Sequence, residues 1–162
     1  MPRYLFPLLS ICLLAGCTDQ AAPTPDTVMS TPDDPIYRNA RFGFEVTVPD
    51  DFVGLGESDN GDGQIFVSRS NDAEIRASGG HRMEPEIACT AGRGHESARI
   101  TYSQEIGNTS VASGIEGERI FYTKVIRTHD RCLTLLVTYP EASKKMYDDI
   151  VRETAASFID AS

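Results

Sequence analysis

Apolar residues alternate with polar ones at Phe42, Phe44, Val46 and Val48, with Gly43, Glu45 and Thr47 between them. This period of two predicts a half-buried strand that Pro49 stops. Two more runs, 53–57 and 64–68, flank Ser58-Asp59-Asn60-Gly61-Asp62-Gly63. The Asn-Gly and Asp-Gly pairs there tolerate positive φ and predict a tight hairpin, and residues 73–79 continue the meander. The stretch 82–96 has no clear period; a short helix is expected over 82–91, limited by Pro85, Gly92 and Gly94. Four further strands are predicted at 99–103, 109–113, 118–126 and 131–139, broken by residues 107–108, 114–117 and 129–130. The period then changes: Tyr147, Ile150, Val151, Thr154, Ala155 and Phe158 recur at helical spacing, with Lys144, Lys145, Asp148, Asp149, Arg152 and Glu153 on the other face. Pro140 suits the first turn of this helix, whose apolar stripe is expected to dock on the sheet.

The first 35 residues follow neither period. One basic residue, Arg3, precedes an uncharged, leucine-rich run over 4–16 and then small residues before Cys17, the pattern of a secretory signal. The run is shorter than the roughly 20 residues a membrane-spanning helix needs. Leu14-Ala15-Gly16-Cys17 resembles the bacterial lipobox at all four positions. The resemblance implies cleavage before Cys17, a diacylglycerol on its sulfur and acylation of the new N-terminus. Thr18, in place of an aspartate after the cysteine, implies by the enterobacterial sorting pattern the periplasmic face of the outer membrane. Residues 18–35 contain Pro23, Pro25, Pro32 and Pro35, no basic residue, and only Val28 and Met29 as large apolar side chains. Such a segment cannot bury enough surface to offset its ordering entropy and is expected to be an extended tether. The chain therefore divides into a signal peptide (1–16), a lipidated N-terminus and tether (17–35) and one domain (36–162).

Composition narrows the function classes. At 40% hydrophobic and 24% charged residues in 162, the chain can build one modest core. A formal net charge of −9 excludes a nucleic-acid partner, since no stretch concentrates the positive field that phosphate binding needs. His81, His95 and His129 are widely spaced and lack a metal-ligand framework, so they are expected to be solvated loop side chains. A calcium-loop frame ending on Gly63 would begin at Ser58 and place Arg69 where a glutamate is required, so the acidic hairpin is no calcium site. Phosphate-binding and nucleophile-elbow patterns are absent. No cofactor, metal or catalytic set is expected.

With Cys12 in the leader and Cys17 acylated, Cys89 and Cys132 remain, and an even remainder in an exported domain predicts a disulfide. A competing reading makes Cys89 the nucleophile of a small thiol or cell-wall enzyme, with His95 or His81 as its base.

Over roughly 37–158 the chain resembles small bacterial envelope proteins with a Mog1/PsbP-like domain. The likeness rests on Tyr37, Asn39, Arg41-Phe42-Gly43-Phe44, Pro49, Phe52, the glycine-rich turn from Gly56 to Gly63, Ile120-Phe121-Tyr122-Thr123-Lys124, Tyr139-Pro140 and the helix ending in Ser157-Phe158. The resemblance implies an α+β domain, an α/β/α sandwich whose mainly antiparallel sheet carries the C-terminal helix on one face. Members include accessory or assembly factors and lipoproteins, with no shared catalytic residue to carry over. The sequence departs from the pattern at 114–117, where a longer aromatic-bearing loop is expected. Together these readings point to an envelope lipoprotein, held to a membrane by its lipid, that binds a protein or envelope component.

Overall fold

The computed structural model describes residues 34–82 and 89–162. The signal peptide, the lipobox with Cys17, nearly all of the tether and most of the helix expected over 82–91 lie outside these residues. Strands β3 (Phe52–Glu57), β4 (Gly63–Ser68) and β5 (Glu74–His81) form the first meander. The second comprises β6 (Arg99–Ile106), β7 (Thr109–Glu116), β8 (Arg119–Arg127) and β9 (Arg131–Pro140). The two join as one antiparallel sheet of order β3-β4-β5-β9-β8-β7-β6. The chain thus crosses from β5 to the far edge at β6 and returns strand by strand until β9 pairs with β5.

Register explains which residues reach the core. Phe66 opposes Ile75, Ile75 opposes Val137, and Val137 opposes Tyr122, so a single row crosses four strands on one face. On that face lie helix α1 (Lys144–Ser157) and a small sheet of β1 (Ile36–Asn39), β2 (Phe44–Thr47) and β10 (Ile159–Asp160), in the order β1-β2-β10. Tyr147, Val151 and Ala155 of α1 are buried against this row together with Phe44, Val46 and Phe158. The opposite face carries a second cluster, in which Cys89 and Ala91 cover Ala112, Phe121 and Val125. Among the described residues no helix lies on that second face.

Four details differ from the expected pattern. The strand predicted from Phe42 begins at Phe44, because residues 40–43 turn between β1 and β2. Phe42 is nonetheless buried, its ring seated on Gly79, where an added Cβ would fall 2.3 Å from the ring. The predicted break at 114–117 shrinks to the turn at Gly117: Gly114 stays inside β7, packed so closely that a Cβ would lie 2.5 Å from the Arg99 carbonyl and 2.8 Å from Phe121. A glycine in a strand can mark such close approach as well as a break. Pro140 closes β9 in an extended conformation, and residues 141–143 form a 3-10 turn before α1. Finally, the two-residue strand β10 was not predicted; it exists because Ile159 pairs with Glu45 and Asp160 with Phe44.

Asn39 organises the turn that carries much of the family likeness. Its Oδ1 accepts from the Phe42 N–H at 2.8 Å, while its amide donates to Gly61 O at 2.9 Å, Glu57 Oε1 at 3.0 Å and the Tyr37 hydroxyl at 3.1 Å. Tyr37 in turn donates to Glu57 at 2.6 Å, and burial, reinforced by that carboxylate, pushes its phenol pKa up. Asn39 is buried, so truncating it strands several polar groups. Asn39→Ala is expected to destabilise the domain by about 2–3 kcal/mol, and a urea titration showing under about 0.5 kcal/mol would sink this account.

A second tie joins α1 to the β4–β5 turn. Asp72 Oδ1 accepts from Ser70 Oγ at 2.6 Å, the Tyr147 hydroxyl at 2.6 Å and Ser68 Oγ at 2.9 Å. These bonds, the Ser70 bond foremost, hold its pKa down to about 2, against an ordinary 3.8. A depressed carboxylate contributes stability above its unfolded pKa and loses it as pH falls through the folded one. Tyr147→Phe should therefore weaken the domain by about 1–2 kcal/mol at pH 6. The gap from wild type should narrow as the pH falls from about 4 to 2. Unfolding midpoints at those pH values check it; a gap independent of pH contradicts the assignment.

Candidate functional site

Helix α1 covers the middle of the sheet but not its β6 end. Between the helix and β6–β8 opens a groove of about 490 Å³. Its apolar floor comes from Val111, Val151, Ala155 and Ala156, its aromatic wall from Tyr102 and Tyr122, and its rim from Asp148, Arg152 and Lys124. Alternation puts these strand residues on one face: Tyr102 opposes Ser113, Ser113 opposes Tyr122, Gln104 opposes Val111, and Val111 opposes Lys124.

Lys124 links the groove to the helix end. Its ammonium donates to Ala155 O at 2.7 Å and Phe158 O at 2.9 Å. The last turn of α1 has no basic residue of its own, so a cation from β8 satisfies its orphan carbonyls and complements the negative end of the helix dipole. Partial burial pulls the Lys124 pKa below the ordinary lysine range. Burial raises the Tyr122 pKa, with Tyr102 adding to the shift. The Tyr122 phenol therefore stays protonated at neutral pH, and the groove can offer hydroxyls, aromatic faces and an apolar floor.

The residues singled out in the sequence lie elsewhere. Cys89 is bonded to Cys132 on the opposite face, with Cα atoms 5.8 Å apart, so Cys89 holds no free thiol in this form. The bridge fixes the segment that begins at Cys89 to β9. His95 is not a solvated loop side chain: its ring stacks on Phe121 at 3.8 Å and 9°, and its side chain is 12% exposed. Its Nδ1 lies 3.3 Å from Glu116 Oε2, and its Nε2 lies 3.5 Å from Thr123 Oγ1. The order hydroxyl, imidazole, carboxylate resembles that of a hydrolytic triad. Yet Thr123 is only 5% exposed, and 3.5 Å is long for proton transfer. Together with Ser97, which donates to Glu116 at 2.9 Å, the set clamps the 91–98 segment onto β7 and β8. The hydrogen bonds from Ser97 and His95 hold the Glu116 pKa below the usual carboxylate range.

His81 ends β5 with its ring 5.0 Å from Phe42, and His129 is exposed in the β8–β9 turn. The acidic hairpin is tied internally, Arg41 meeting Asp62 Oδ1 at 2.8 Å and also the Asn60 carbonyl. Among the described residues no group of histidine, cysteine and carboxylate side chains is placed to hold a metal ion. Sequence reasoning missed Tyr102, Tyr122 and Lys124 as a set, since each reads as an ordinary strand residue. The apolar positions Ile100, Tyr102 and Ile106, spaced by polar residues, were the one available signal.

No family model matches the chain, and no curated protein matches it significantly. Its backbone is similar to the solution structure of cyanobacterial PsbP (CyanoP) from Synechocystis sp. PCC 6803, at a TM-score of 0.58 and 12% sequence identity, covering 91% of this chain and 98% of that one. Identity this low carries architecture without chemistry. The chain has a PsbP-like fold, mainly antiparallel sheets with one C-terminal helix packed on them.

Proposed function

We propose that the chain is a bacterial envelope lipoprotein, anchored by acyl groups on Cys17 and facing the periplasm from the outer membrane, whose domain binds a protein component of the envelope in an accessory role. The observation that carries the binding site is the groove between α1 and β6–β8, apolar in its floor, aromatic in its wall and open to solvent. Such a groove suits an apolar side chain presented by a partner whose backbone the surrounding phenols and charges can meet.

Support for the anchor comes from the sequence. Two or three acyl chains, at about 0.8 kcal/mol per buried CH₂, hold a protein stably where one chain binds reversibly. Residues 18–35, at on the order of 3 Å per residue, give the domain a reach of some tens of ångströms. A thiol enzyme is the weaker reading, because Cys89 shares its sulfur with Cys132.

Two experiments test the proposal. Cys17→Ala should abolish incorporation of labelled fatty acid and release the protein from the membrane fraction; retention of label would refute the anchor. A photo-crosslinking residue at position 122 should capture a discrete envelope protein in intact cells, and Ala156→Arg, which adds bulk at an exposed position lining the groove, should prevent it. Equal capture from position 76, exposed on the other face, would refute the site.

A further inference from the structure

Strand β6 ends the seven-stranded sheet, and its outer edge pairs with no strand among the described residues. All eight of its residues are exposed, although three of them are large and apolar: Ile100, Tyr102 at 50% and Ile106 at 66%. Soluble proteins ordinarily protect such an edge with proline, lysine or an inward charge. Here the strand has neither proline nor lysine, its one cation, Arg99, lies at the end beyond the bulge, and its one carboxylate, Glu105, is engaged by Arg127 at 3.2 Å. The bulge in β6 lies between Ile100 and Tyr102, so the edge from Tyr102 to Ile106 is regular.

We infer that the occupant of this edge is a second copy of the same chain, paired antiparallel through β6 about a two-fold axis at Gln104. Hydrogen-bond phase permits it. Ile106 and Thr109 flank the two-residue turn Gly107-Asn108, and such flanking residues form the hydrogen-bonded pair nearest the turn. Alternation then directs the backbone groups of Gln104 and Tyr102 toward β7, and those of Ser103 and Glu105 outward. In the two-fold register Ser103 meets Glu105 of the other copy, exchanging two backbone hydrogen bonds, and the symmetric pair repeats this.

Side chains agree with the same register. On the groove face Tyr102 opposes Ile106 of the other copy, twice, so the exposed apolar residues cover one another across the strands. On the other face each Glu105 opposes a serine, and no like charges meet. The groove is also incomplete without this neighbour, because its Tyr102 wall stands at the sheet edge and Ile106 of the second copy extends that wall.

Charge distribution favours the same arrangement. Residues 34–82, toward the β3 side, carry nine acidic and five basic side chains, whereas residues 99–162 carry nine and eight. Joining two copies at β6 places the near-neutral ends together. The acidic outer edges then stand thirteen strand spacings apart, on the order of 60 Å, several Debye lengths at physiological salt.

The test uses the full exported chain carrying Gln104→Cys. Opposed residues across the axis have Cα atoms about 4.5 Å apart, within disulfide range, so mild oxidation should give a covalent dimer on a non-reducing gel. Ser103→Cys and Glu105→Cys, each opposing the other position rather than itself, should give several-fold less. Adding Ser103→Pro, which removes an outward N–H and spares the β7 ladder, should abolish the Gln104→Cys dimer while thermal unfolding of the domain is retained. Equal crosslinking from positions 103 and 104, capture of a different protein at position 104, or no dimer from a Gln104→Cys thiol that labels freely with maleimide would each overturn the pairing.

Discussion

Phe158→Ala is expected to lower the stability of the domain by about 3–5 kcal/mol, the range for removing a fully buried aromatic side chain when the cavity cannot collapse. Phe158 is 0% exposed and meets Phe44 edge to face, with ring centroids 5.5 Å apart. It also stands at a junction: its N–H closes α1 on Thr154 O at 3.1 Å, its carbonyl receives Lys124, and the next residue begins β10. The core there is walled by a sheet and a helix, so little can move into the space. At roughly 3–5 °C per kcal/mol for a domain of this size, the melting temperature should fall by roughly 10–20 °C. Met146→Ala, on the exposed face of the same helix, should melt close to wild type. A Phe158→Ala loss below about 1 kcal/mol would show that α1 is not docked through this residue.

Removing the disulfide is the second large effect. Cys89 and Cys132 are 43 positions apart, and the loop-entropy relation for a closure of that length gives about 4 kcal/mol. The Cys89→Ala/Cys132→Ala double variant should therefore unfold at much lower urea, and wild type in reductant should match it. The loss has a local address as well. Ala91 donates its N–H to Ser110 Oγ at 3.0 Å and packs with Cys89 over Phe121, so hydrogen exchange at Ala91 should accelerate more than at Val137 in the central strand β9. If the double variant keeps wild-type stability, the bridge is no staple. Because the groove lies on the other face, partner capture from position 122 should survive the substitution at temperatures where the variant stays folded. Loss of function from Cys89→Ser alone, with the fold intact, would instead favour thiol chemistry.

Much of this architecture was legible in local pattern. The helical spacing of Tyr147, Val151, Thr154 and Ala155 matched their burial, and the alternation of Phe42, Phe44 and Val46 matched theirs, even though Phe42 lies in a turn rather than a strand. Asn60-Gly61 and Gly107-Asn108 marked real turns, with positive φ at Gly61 and Gly107. Gly114 misled, because a glycine required by the ring of Phe121 looks in sequence like one required by a turn. His95 misled for a related reason: the ring that shields it comes from β8, 26 positions later.

By itself, the sequence determined most of the elements, their apolar faces and the pair of cysteines available for a bridge, because side-chain period and turn chemistry act between near neighbours in the chain. Only the tertiary structure decided which strands are neighbours. Period two assigns a residue to a face but says nothing of what lies beside it. Strand β6 could have been central and buried, and its position at the end of the sheet leaves both its faces and its hydrogen-bonding edge open among the described residues. The groove depends on the same decision, since it joins Tyr102 and Lys124 to helix residues whose separation in the chain is large and whose proximity is set by how far α1 reaches across the sheet.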